Sequence, residues 1–106
     1  MQIIIHTKDG DALFKAINAK IRKGDLKTWE IKLNKENQVL YNHSPEQWSE
    51  KVLLIPKDHI NGLKIQTTYW SNKPEPDQAT KGYIVGRFVE ILMVHFKNHF
   101  SKLEVS

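Results

Sequence analysis

The stretch Asn42-His43-Ser44-Pro45-Glu46-Gln47-Trp48 gathers an imidazole, a hydroxyl, a carboxylate and an indole within seven positions. The corresponding chemistry would be a Ser44 nucleophile with His43 as its base. Adjacent side chains diverge, however, and neither a nucleophile elbow nor oxyanion glycines surround the pair. The same residues also read as local structure. Ser44 is placed as the N-cap of a short helical turn, Pro45 stands at the first helical position, and Gln47 completes a capping box. His43 and Trp48 then flank the helix start as a hydrophobic staple.

Two further histidines, His95 and His99, are four residues apart. On a helix that spacing lets both rings reach one metal ion on a common face, but the preceding turn offers Ile91 where a third ligand would be needed. No metal and no cofactor is therefore assigned. Packing at the core or at a subunit boundary accounts for both rings, and protonation near the reference pKa of about 6.5 would weaken such a boundary. His6 and Thr7 close the first apolar run, and strand ends of this kind open onto clefts. A general acid/base site would require His6 and His43 to share a cleft with Glu90 or Arg87. "KDGDA" has one glycine flanked by acids and cannot cradle phosphate.

The elements that must position these groups follow from periodicity. "QIIIHT" predicts a buried first strand ended by "KDGD", where Asp9 or Asp11 can cap a helix. Leu13, Phe14, Ile17 and Ile21 recur at helical spacing through Lys23, and Gly24 follows as the helix stop. "TWEIKLN" alternates, turns at "KENQ" and returns as "VLY", which predicts a hairpin. "VLLIPKDHI" and "LKIQTTYW" flank Asn61-Gly62, the dipeptide suited to a type I′ turn, and predict a second hairpin. Loop-like "SNKPEPDQAT" leads to a last helix from Lys81 to about Leu103. The expected fold is a single two-layer α+β domain over residues 1–106, with two main helices on a mostly antiparallel sheet of about five strands.

The last helix has an apolar arc wider than one packed face. Val85, Phe88, Val89, Leu92, Phe96 and Leu103 form its stripe, and Ile84, Ile91, Met93 and Phe100 widen it. The excess, with His95 and His99, predicts a homodimer contact formed by Ile84, Ile91, Met93, His95, His99 and Phe100.

Charge and composition bound the function. Eight Lys and Arg face four acids up to Lys35, whereas the remaining chain carries eight of each, so the formal excess of +4 belongs to the first third. Lys15, Lys20, Arg22 and Lys23 would give the first helix a basic face, and nucleic-acid binding is the alternative function that follows from it. The chain has no cysteine, which excludes disulfides and thiol catalysis. No run approaches a membrane span of roughly 20 apolar residues, and the N-terminus lacks signal-peptide character, so no membrane partner is assigned and a cytoplasmic location is expected.

"IIIHT", "TWEIKLN", "NHSPEQWSEKVLLIP" and "GRFVEILMVHF" together resemble a group of small bacterial proteins with no assigned activity. The resemblance implies a bacterial cytoplasmic protein and carries over no catalytic residue, and the lysine-rich "KLNKENQ" departs from the group. The function expected from the residues is a non-enzymatic interaction module that self-associates through its C-terminal helix. A nucleic-acid-binding protein comes second and a small enzyme with an acid/base histidine third.

Overall fold

Three consecutive isoleucines make the first strand, β1 (Gln2–His6), and the pleat sends Ile3 and Ile5 to one side and Ile4 to the other. The computed structural model describes residues 1–106 and continues with α1 (Gly10–Arg22), β2 (Trp29–Leu33), β3 (Val39–His43), β4 (Leu53–His59), β5 (Gly62–Thr68), α2 (Gln78–His95) and β6 (Lys102–Val105). The strands form one antiparallel sheet in the order β2-β3-β4-β5-β1-β6. This is the α+β fold expected, with six strands in place of about five.

Both helices pack on the same face of the sheet. Ile3, Ile5, Tyr41, Leu54, Leu63 and Ile65 from the strands join Leu13, Ile17 and Ile21 of α1 and Ile84, Val85, Phe88 and Leu92 of α2 in one buried cluster. Burying side chains of this size stabilises by about 1.5–3 kcal/mol each. The Tyr41 hydroxyl, sealed in that cluster, donates to Asn18 Oδ1 at 2.7 Å, so no polar atom is stranded there. On the opposite face a smaller cluster of Leu40, Leu53 and Ile55 is roofed by Trp70.

Local signals set the helix ends. Asp9 accepts the Ala12 N–H at 2.9 Å and Asp77 accepts the Thr80 N–H at 2.8 Å, each carboxylate meeting the positive end of its helix. Beyond α1, Gly24 takes φ 82° and donates its N–H to Ile21 O.

Three expectations are corrected. The last helix does not run to Leu103. It stops at His95, and after a 3₁₀ turn at Lys97–His99 the chain reverses into β6. Phe96, 2% exposed, anchors the stop in the core, while β1 gains a second ladder in which Leu103 lies opposite Ile5 and Val105 opposite Ile3. Those ladder bonds outweigh the helical spacing of Phe96, Phe100 and Leu103.

Residues 44–51 form successive turns with no helix. Pro45 O accepts both the Trp48 and Ser49 N–H groups, the Ser44 N–H donates to Thr28 O, and the Ser44 hydroxyl caps nothing. The staple is also absent, because no helix starts at Ser44 and Trp48 stacks on Tyr83 with ring centroids 4.1 Å apart. Ser44→Ala is accordingly expected to change stability by less than about 0.5 kcal/mol in urea denaturation, the scale of surface substitutions. A loss of about 1 kcal/mol would reinstate the cap.

The β4–β5 turn sits one residue earlier than Asn61-Gly62. His59 pairs with Gly62, so Ile60 and Asn61 are the loop residues, and only Gly62 has a positive φ, 135°.

Candidate functional site

The sheet register decides which candidates meet. His43 ends β3 opposite Trp29 on the helix-covered face, whereas His6 ends β1 opposite Gly62 on the other face. β4 and β5 lie between β3 and β1. β3 and β1 are three strand spacings apart, and the two histidines also sit at opposite ends of the sheet: His43 follows Asn42, which faces Leu53 at the start of β4, whereas His6 is level, across Gly62, with His59 at its end. The two histidines therefore do not share a cleft. His6 Nε2–H donates to the Glu104 carboxylate at 3.0 Å, a bond that, with Lys102, holds the Glu104 carboxyl below its usual range. It lines a surface groove with Thr7, Asn61 and His99.

His43 does converge with Arg87 and Glu90. The three line a cavity of about 330 Å³ whose walls include Trp29, Trp48 and Tyr83. The first wall comes from the start of β2, His43 from the end of β3, Trp48 from the turns that follow, and Tyr83, Arg87 and Glu90 from successive turns of α2. Spacings of four and three place the last three on one side of the helix. Arg87 Nε donates to the Tyr83 hydroxyl at 3.1 Å, Arg87 Nη1 reaches both Glu90 oxygens at 3.2 Å, and the guanidinium lies 5.3 Å from the Tyr83 ring centre. Tyr83 and Glu90 both favour the charged form of Arg87.

The imidazole of His43 is only 4% exposed and packs 4.7 Å from the Trp29 ring system. Its Nδ1 is 3.0 Å from Thr28 O, and because a carbonyl can only accept, Nδ1 carries the proton. Nε2 is then the acceptor of the neutral ring, and no group in the protein bonds to it, yet it is not sealed off from solvent. Burial lowers the pKa of His43, against the opposing effect of the Thr28 carbonyl. The sequence singled out His43, with Glu90 or Arg87 as its partner in a cleft and Trp48 as a staple, but not Tyr83. The spacing Tyr83-Arg87-Glu90 was readable, but which strand end this helix side would cover was not.

The expected homodimer residues separate. Ile84 is fully buried, and Ile91 and Phe100 are partly buried against the main core. Deep burial therefore explains part of the broad apolar arc, and Phe100 lies beyond the helix altogether. Met93, His95 and His99 are exposed. His95 ends α2 and His99 sits in the 3₁₀ turn, with the Phe96 ring about 6 Å from each (6.4 and 6.0 Å), so they do not share a helical face. No cluster of three potential metal ligands occurs in the chain.

Of the basic residues on α1, Lys15 pairs with Asp11 at 2.9 Å and Lys20 approaches Asp25 at 3.9 Å. Arg22 and Lys23 are exposed without an acid partner. A groove of about 660 Å³ runs between the β2–β3 turn and residues 70–73, where the Trp70 indole N–H is already committed to Glu50 at 2.8 Å. No helix is long and apolar enough to cross a membrane. No family of known proteins, no characterised protein and no solved structure matches the chain.

Proposed function

We propose that the protein is an interaction module that self-associates through the outer side of α2. The observation that carries the reading is the exposure of Val94 (74%) and Met93 (45%) next to a core that Ile84, Val85, Phe88 and Leu92 already close from within. Neither side chain is needed for the monomer's packing, and a pair of large apolar groups left in water on the last turns of a helix suits a second copy of the same surface. A bare helix side also extends from them, because nothing stands above Gly86.

Sedimentation velocity at tens of micromolar protein tests the reading. The wild type is expected to sediment as a dimer and Val94→Glu as a monomer, with the far-UV spectrum and melting temperature of the variant unchanged because the side chain is exposed. Phe100→Glu is the wrong probe, since that ring packs against the core and its substitution would lower stability as well as disturb any contact. A monomeric wild type would end the proposal.

One observation favours a second reading. Lys57 and Lys64 stand directly opposite each other on the sheet face away from the helices, and neither has an acid partner. Like charges so placed repel, and a polyanion would relieve them. Retention of a mixed-sequence oligonucleotide that weakens with salt, and weakens further in Lys64→Gln, would support it. Absence of binding at low salt would dismiss it.

A further inference from the structure

We propose that the cavity beside His43 binds a small planar acid that also carries a hydrogen-bond donor, a hydroxylated aromatic carboxylate being the class that fits. Nε2 supplies the first handle. It is a lone acceptor on an almost fully buried ring that lines the cavity, its tautomer fixed by the Thr28 carbonyl. Solvent reaches this acceptor in the free protein, and a ligand O–H or N–H can take the place of that water. The lowered proton affinity of His43 keeps that lone pair available at neutral pH.

Arg87 supplies the second handle. Its Nε is used on Tyr83 and its Nη1 on Glu90, while Nη2 makes no bond within the protein. The pair with Glu90 is neutral overall, and the free donors it presents at the rim are the N–H groups of Nη2. A ligand carboxylate can accept from Nη2 as a single charge-assisted hydrogen bond.

Between the handles the walls are aromatic. Trp48 and Tyr83 stack at an interplanar angle of 20°, Trp29 backs His43, and a volume of about 330 Å³ is at the small end of ligand cavities. A flat ring makes more contact with such walls than a branched chain does. The site uses neither Met93 nor Val94, so it stands or falls apart from self-association.

The test titrates wild-type protein with a panel of hydroxybenzoates and indole carboxylates up to about 10 mM, well above the millimolar range expected of weak small ligands. Long-range ¹H–¹⁵N spectra of the histidine rings and tryptophan fluorescence report binding. At least one member is expected to move the His43 Nε2 resonance while leaving His6 unmoved. Removing the ring hydroxyl, esterifying the carboxylate, or substituting Arg87→Gln should each weaken binding by about tenfold, the loss of one good polar contact. The ligand comparisons keep His43 intact, so none depends on a variant that fails to fold. No movement of His43 with any panel member, or equal affinity for acid and ester, overturns the proposal.

Discussion

Gly62→Ala is expected to lower stability by about 4 kcal/mol, the sum of roughly 1–3 for a side chain held at positive φ and 1–3 for overpacking. The backbone there has φ 135°, and an added Cβ would come within 2.5 Å of Thr7 Cγ2 and 2.8 Å of Ile5 O. Neither neighbour can retreat easily. Ile5 lies in the central ladder opposite Leu63, and Thr7 donates its N–H to Asn61 O at 3.0 Å. On its other side the Gly62 carbonyl touches the start of α1, where a Cβ on Gly10 would collide with it. Two glycines thus allow strand end, turn and helix start to meet backbone to backbone. Asn61→Ala, by contrast, should be nearly neutral, since Asn61 has no positive φ. Urea denaturation of the two variants side by side checks this. A loss below about 1 kcal/mol in Gly62→Ala would mean the turn relaxes away from Thr7, and a large loss in Asn61→Ala would restore the type I′ turn.

That one-residue shift shows what the sequence could and could not convey. Asn-Gly correctly marked a hairpin between two β-rich runs, because strands on both sides and a glycine between them are local facts. Which residue takes the positive φ depended on Gly10 at the start of α1 and Thr7 just after β1, a contact between distant segments. β6 was illegible for a related reason. Phe96, Phe100 and Leu103 keep helical spacing with no proline or glycine to break it, and only the free edge of β1 turns Lys102–Val105 into a strand. The first helix was readable because its cap, its stripe and its Gly24 stop all agree locally. His6 was legible as a strand-end histidine whereas His43 was read as the residue before a helix cap, and their separation rests on strand order, strand direction and pleat parity, which no local pattern encodes.

Asn42→Ala is expected to cost about 3 kcal/mol and to loosen the whole corner from Ser44 to Lys51. Asn42 is fully buried, and its amide satisfies three partners: Nδ2 donates to Glu30 Oε1 at 2.8 Å and to Ser49 Oγ at 3.2 Å, while Oδ1 accepts the Glu50 N–H at 2.8 Å. This side chain, in place of a capping box, ties the turns to the sheet. It also holds Glu50 at φ 61°, a conformation that costs a non-glycine residue energy and needs such a restraint. Glu50 in turn accepts the Trp70 indole N–H, so the restraint extends to the ring that roofs Leu40, Leu53 and Ile55. Truncation removes a bond to a charged group worth about 1.5–3 kcal/mol and two neutral ones worth roughly 1 each, partly offset by water entering at Glu30, which is only half-buried. The global loss should appear in the urea midpoint with the slope unchanged. Local loosening should appear as faster amide exchange at Trp48, Ser49 and Glu50 and as altered Trp70 fluorescence, while exchange in α1 tracks only the global change. A variant that keeps slow exchange at Glu50 and loses less than about 1 kcal/mol would show that Trp48, stacked on Tyr83, holds the corner by itself.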